Sequence, residues 1–89
     1  MKFSIKIDNS NTIRYYLNNL LHRDNGPAVE FAEGDKWWYK NGLLHRTDGP
    51  AVEYPIELKF WYLNNICYGC NSDFSPSSWK SFVNTFIFS

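Results

Sequence analysis

At 89 residues the chain is one small domain, which buries a modest fraction of its surface and has little stability to spare. Nine basic and nine acidic residues cancel, which argues against bulk electrostatic binding to a nucleic-acid backbone or an anionic membrane, since such binding needs surplus Lys and Arg. Seventeen Phe, Trp and Tyr side chains, a 19% share, are more than a thin core hides, so some are expected half-exposed as an interaction surface.

The opening "MKFSIKID" lacks the apolar core of a signal peptide and no run reaches the length of a membrane span. The expectation is a soluble protein of the cytoplasm, with no membrane partner. "FSIKI" (3–7) alternates and predicts a first strand.

Next comes a repeat. A slide of 23 residues aligns "YLNNLLHRDNGPAVEF" (Tyr16 to Phe31) with "YKNGLLHRTDGPAVEY" (Tyr39 to Tyr54), identical at eleven of sixteen positions. A further step reaches "WYLNNICYG" (Trp61 to Gly69), where Tyr-x-Asn persists and His-Arg-x-x-Gly-Pro is lost. Each unit predicts strands around tight turns. "KWWYK" is a strand, Asn41-Gly42 a type I′ hairpin turn, "LLHR" the returning arm, "TDGP" a second turn and "AVEY" the next strand. In the first unit the tight turn is Asn18-Asn19, and the wider loop after the last strand is "AEGD" (Ala32 to Asp35). Internal repetition of this kind sets the architecture.

The stretch "WYKNGLLHRTDGPAVEY" resembles a MORN-like repeat, whose unit reads Trp-Tyr-x-Asn-Gly-x-x-His-Arg-x-Asp-Gly-Pro-Ala. The match spans Arg14 to about Asn65. It implies a β-hairpin array without catalytic activity of its own, of the kind carried by phages, giant viruses and bacteria. Asn19 in place of the turn Gly and Asn25 in place of Asp depart from that pattern, as does the loss of the motif after Asn65.

Pairing across Asn41-Gly42, carried on through four-residue turns, puts Val29, Trp38, His45, Val52, Trp61 and Tyr68 on one face. Glu30, Trp37, Arg46, Ala51 and Tyr62 fall on the other. A bulge in either turn exchanges the faces.

From Asp73 the character changes. Asp73 or Ser75 can cap a helix, Pro76 suits its first turn, and Trp79, Phe82, Val83 and Phe86 form one apolar stripe. The helix should cover one face of the sheet, and the tail "FIFS" reads either as a further strand or as a reach toward a neighbouring subunit. The expected fold class is therefore mainly β. It is an antiparallel β-hairpin repeat meander of about six or seven short strands, with one C-terminal α-helix packed on it. The expected organisation is a single domain, 1–89: a β-meander over 3–72 with repeats at about 16–38 and 39–61 and a degenerate third from 62, then a helix over 75–86.

His22 and His45 are wedges between aromatic and valine side chains on the structural reading, and ligand contacts or general bases on the functional one. A regular surface with one identical His per hairpin offers neither the partner nor the water-excluding cleft that acid–base work needs. Arg23 and Arg46 either brace the sheet, with Trp37 between Glu30 and Arg46, or present a planar fork to an anionic partner. Cys67-Tyr-Gly-Cys70 lacks the helix N-terminus of a redox motif and the two further ligands of a zinc site, so two free thiols are expected. No metal, cofactor or catalytic residue is predicted. The leading expectation is a non-enzymatic macromolecular binding protein, concretely a viral inhibitor of a host defence factor, using Trp37, Trp38, Trp61, Arg23, Arg46, His22 and His45. An anionic small-molecule binder, such as one that sequesters a nucleotide signal, and a self-assembling homo-oligomer are the alternatives.

Overall fold

A computed structural model describes residues 1–87. The strand segments in chain order are β1 (Phe3–Ile7), β2 (Ile13–Leu17), β3 (Leu20–Leu21), β4 (Val29–Glu30), β5 (Lys36–Trp37), β6 (Tyr39–Lys40), β7 (Leu43–Leu44), β8 (Val52–Glu53), β9 (Lys59–Leu63) and β10 (Ile66–Cys70). A 3-10 turn at Asn71–Asp73 leads into helix α1 (Pro76–Ile87). All pairings are antiparallel. The main sheet runs β1-β2-β4-β5-β8-β9-β10, with β3 branching from β2, while β6 and β7 form a separate ribbon. The mainly β meander closed by a C-terminal helix is thus the observed fold.

The segments are shorter and more numerous than expected because the strands of the two full repeats change partner midway. Ile13 and Arg14 of β2 pair with β4, whereas Tyr16 and Leu17 pair with β3. In the next unit β5 pairs with β4 and β8, and β6 pairs with β7. Trp38 is the junction: its N–H donates to the Ala51 carbonyl at 2.7 Å and its carbonyl accepts the His45 N–H at 3.1 Å.

Three hairpin tips recur with one geometry. Asn18 and Asn19, Asn41 and Gly42, and Asn64 and Asn65 all take positive φ, between 50° and 83°. Two successive left-handed residues make a type I′ turn, whose twist matches that of the flanking strands. Asn tolerates this region because its short amide bonds locally, so Asn19 and Asn65 do the work of the turn Gly.

The cross-strand rows differ by one residue from the sequence expectation. Val29 faces Trp37, Trp37 faces Val52 and Val52 faces Phe60. Trp38 and Trp61 therefore do not lie in the Val29–Val52 row. The reason is loop length: residues 22–28 and 45–51 are seven-residue loops rather than four-residue turns. On the other face, Glu30, Lys36, Glu53 and Lys59 stand opposite one another in sequence, an alternating charge ladder that favours this register.

The core has two parts. Ala28, Val29, Ala51 and Val52, the same two residues of each repeat, are buried along the sheet. At the C-terminal end Trp61, Leu63, Trp79 and Val83 form a cluster, with Tyr68, Phe74 and Phe82 packed on it. Ser75 caps α1: its Oγ accepts the Ser78 N–H at 3.1 Å, and Ser78 Oγ accepts the Ser75 N–H at 2.9 Å. Asp73, the other candidate cap, instead accepts the Cys70 N–H at 2.8 Å. The apolar stripe reads as predicted at Trp79 and Val83. Phe86 is more open, stacks on Phe82 and meets Tyr68 edge-on. The "FIFS" tail begins in helix at Phe86 and Ile87, and its last two residues lie outside the described ones.

The Trp79 side chain is fully buried against Trp61, Phe74 and Phe82, and its Nε1 donates to the Arg46 carbonyl at 2.8 Å. Trp79→Ala is expected to lower unfolding stability by about 3–5 kcal/mol, a large share of the total for a domain this size. Urea denaturation followed by tryptophan fluorescence and by far-UV circular dichroism measures it.

Candidate functional site

The repeated His-Arg-x-x-Gly-Pro-Ala segments fold into two similar loops, and each is built around its arginine. The Arg23 guanidinium lies 3.9 Å from the Tyr15 ring centre, and that of Arg46 lies 3.8 Å from the Trp38 ring centre. Nη1 donates to the Pro27 carbonyl at 3.2 Å in the first loop and to the Pro50 carbonyl at 3.1 Å in the second. Glu30 and Glu53 stand 3.5 Å and 3.7 Å from the same nitrogens. The other side of each guanidinium meets glycine. A Cβ at Gly26 would come within 3.1 Å of Arg23, and one at Gly49 within 2.7 Å of Arg46. The loop thus wraps an arginine that lies on an aromatic face, an attraction between cation and ring quadrupole strengthened by partial burial. The aromatic under Arg46 is Trp38, where the sequence suggested Trp37.

The histidines join one repeat to the next. His22 Nδ1 accepts the Asn41 N–H at 2.9 Å, and His45 Nδ1 accepts the Asn64 N–H at 3.2 Å. Each imidazole therefore ties down the turn of the following hairpin. Main-chain bonds run beside it: Gly42 N–H to the Leu21 carbonyl and Asn65 N–H to the Leu44 carbonyl, both at 2.8 Å. An Nδ1 that accepts has no proton, so the neutral ring carries its hydrogen on Nε2. In His22 that nitrogen sits 2.8 Å from Asp24 Oδ1. Burial, with a smaller contribution from the Lys40 charge, pushes the His45 pKa below its ordinary value.

Between the two loops runs an open groove of about 390 Å³. Asp24, Asn25 and Gly26 form one wall, and His45, Thr47 and Asp48 the other. Trp38, Lys40 and Arg46 also line it. Lys40 Nζ bonds Asp24 at 2.8 Å and Arg46 Nε bonds Asp48 at 2.9 Å. The Lys40 ammonium, then the His22 ring, hold the Asp24 carboxyl below the usual carboxylate range, and the Arg46 guanidinium does the same for Asp48. The groove therefore shows both signs of charge around an aromatic ring. Its basic groups are already paired with carboxylates.

Of the residues singled out from the sequence, Trp38, Arg46 and His45 come together here. Arg23 and His22 hold the corresponding place in the first repeat. Trp37 is half-buried in the sheet, edge-on to Phe31 at 5.2 Å, with its buried Nε1 unpartnered among the described residues. Trp61 is only 2% exposed and belongs to the core, so it has no surface to offer. Sequence reasoning missed Tyr15, although 23 residues back from Trp38 leads to it. It also missed Lys40 and Asp24, whose partnership depends on how the loops fold. Cys67 and Cys70 are exposed free thiols, and the described residues hold no cluster of His, Cys, Asp and Glu able to take a metal ion.

Two outcomes test this geometry. Gly49→Ala forces its methyl against the Arg46 guanidinium and is expected to cost about 1–3 kcal/mol, with a smaller loss for Gly26→Ala; urea unfolding of both variants gives the order. His45 has a folded pKa below its ordinary value of 6.5, so the folded state disfavours its proton. The stability tied to it is complete above that value and is lost as pH falls through the folded pKa. Between about pH 7.5 and about pH 5.5 the unfolding midpoint of the wild type should drop more than that of His45→Asn, whose amide oxygen can still accept the Asn64 N–H. No family model, curated protein or solved structure matches this chain.

Proposed function

We propose that the chain is a non-enzymatic macromolecular binding protein of MORN-like hairpin repeats, which meets a partner protein at the groove between its two arginine loops. A viral inhibitor of a host defence factor is the concrete form of this reading, and the resemblance of the repeats is what supports the viral part. The observation that carries the binding part is the juxtaposition of Trp38 with Lys40, Asp24, Asp48 and Thr47 in one open groove. A half-buried Trp bordered by groups of both signs is the composition of a protein-contact hot spot with a polar rim.

The nucleotide-sequestering alternative is weaker on electrostatic grounds. Arg23 and Arg46 each spend their charge on a glutamate and a proline carbonyl, and Asp24 and Asp48 would repel a phosphate at the groove.

The test leaves the arginine brace intact. Thr47 and Asn25 are exposed on opposite walls, and Thr47→Arg or Asn25→Arg fills the groove with a bulky cation. In affinity capture from host-cell lysate, a partner retained by wild type should be lost with either variant and kept with Asn84→Arg on the exposed side of α1. Capture that survives both groove variants, each verified as folded, would move the interface elsewhere.

A further inference from the structure

We propose that β1 is a docking edge for a second copy of this chain, the two β1 strands pairing antiparallel about Ile5 into one continuous sheet. The backbone geometry leaves that edge open. Asn18 N–H donates to the Lys2 carbonyl at 2.8 Å and Asp8 N–H to the Thr12 carbonyl at 3.1 Å, at either end of the β1–β2 pairing. Even-numbered residues of β1 therefore bond to β2. Alternate residues of an antiparallel strand point their backbone groups the other way, so the N–H and C=O of Phe3, Ile5 and Ile7 face outward. Among the described residues no strand covers them.

The side chains of the same three residues are 61%, 61% and 65% exposed. They stand opposite Leu17, Tyr15 and Ile13 on one face of the sheet. Edge strands that stay unpaired carry Pro, a bulge, lysines or an inward charge. β1 has no Pro and its register with β2 is unbroken; its one charge, Lys6, sits on the face opposite the apolar row, 5.3 Å from the Tyr16 ring centre.

Charge selects a second copy as the occupant and fixes the register. Centred on Ile5, the pairing sets Ile5 against Ile5, Phe3 against Ile7, Ser4 against Lys6 and Lys2 against Asp8. Each of the three apolar pairs exchanges two main-chain hydrogen bonds. Asp8 is held in place by Arg14 at 2.8 Å and by the N–H groups of Ser10 and Thr12. The neighbouring registers that keep the same backbone groups outward put Lys2 against Lys6, or Lys6 against Lys6, and like charges directly opposite are destabilising.

Sedimentation velocity on the full chain, from micromolar to millimolar, tests the proposal together with amide hydrogen exchange. The expected result is a monomer–dimer equilibrium in which the Phe3, Ile5 and Ile7 amides gain protection as concentration rises. Those of Ser4 and Lys6 should be protected throughout. Ile5→Lys should leave a monomer, and Lys2→Glu, which leaves the strand itself untouched, should weaken association about tenfold. A wild-type monomer at millimolar concentration overturns the proposal and leaves the edge to a strand of another protein. A dimer whose Phe3, Ile5 and Ile7 amides exchange independently of concentration, or one indifferent to Lys2→Glu, overturns it as well.

Discussion

The guanidinium of Arg46, held between the Trp38 ring and the Gly49–Pro50 backbone, fixes the shape of everything around it. A seven-residue loop anchored at its ends by main-chain bonds of His45, Arg46 and Ala51 would otherwise be free to take many conformations between them, each residue fixed costing about 1–2 kcal/mol in backbone entropy. One arginine offsets much of that cost because it satisfies several demands at once. It bonds a loop carbonyl, faces Glu53 and fills the space that a side chain on Gly49 would occupy. With the loop fixed, Ala51 and Val52 are delivered to the sheet in a single register. Arg23 does the same for Ala28 and Val29 on a Tyr15 ring.

The histidine acts at the next level. His22 and His45 follow Leu21 and Leu44, at the point where one hairpin arm ends, and each reaches the turn of the hairpin 19 residues ahead. The repeat is therefore stapled both within itself, through arginine, and to its successor, through histidine. An isolated unit would lack the second of these and the buried Ala-Val pair of its neighbour, as expected of a repeat that is stable only in an array.

Much of this organisation could be read from the residues. The 23-residue period, the three turns and the capped helix depend on local rules: left-handed tolerance of Asn and Gly, Pro at a first helical turn, and apolar spacing. The register did not follow, because Thr47–Pro50 has the composition of a four-residue turn and only the folded arginine shows that the loop starts two residues earlier. That error moved Trp38 onto the Val29 row and gave Arg46 the wrong aromatic. It also hid the fate of Trp61. Trp61 follows Trp38 by the same 23 residues that separate Trp38 from Tyr15, but in space it is covered by a helix whose docking no periodicity specifies. The groove was legible only in part, since the pairing of Lys40 with Asp24 spans two repeats.

The third unit explains how the array ends. A step of 23 from Arg46 arrives at Gly69, so among the described residues no cation stacks on the Trp61 ring. Gly69 instead leaves room for Asp73 and Phe74, which a Cβ there would approach to about 3 Å. Trp79 and Phe74 then take the place that arginine holds in the earlier units, and the Trp79 indole bonds the carbonyl of Arg46 itself. Loss of the motif after Asn65 is thus a substitution of one ring-capping group for another. A repeat that must continue needs a polar cap that leaves its loop at the surface, whereas a repeat that must stop needs an apolar one that seals it. The helix also makes the two ends of the array unequal. At the C-terminal end aromatic side chains close the core, while at the other end no strand among the described residues covers the outer edge of β1, and its apolar row is exposed.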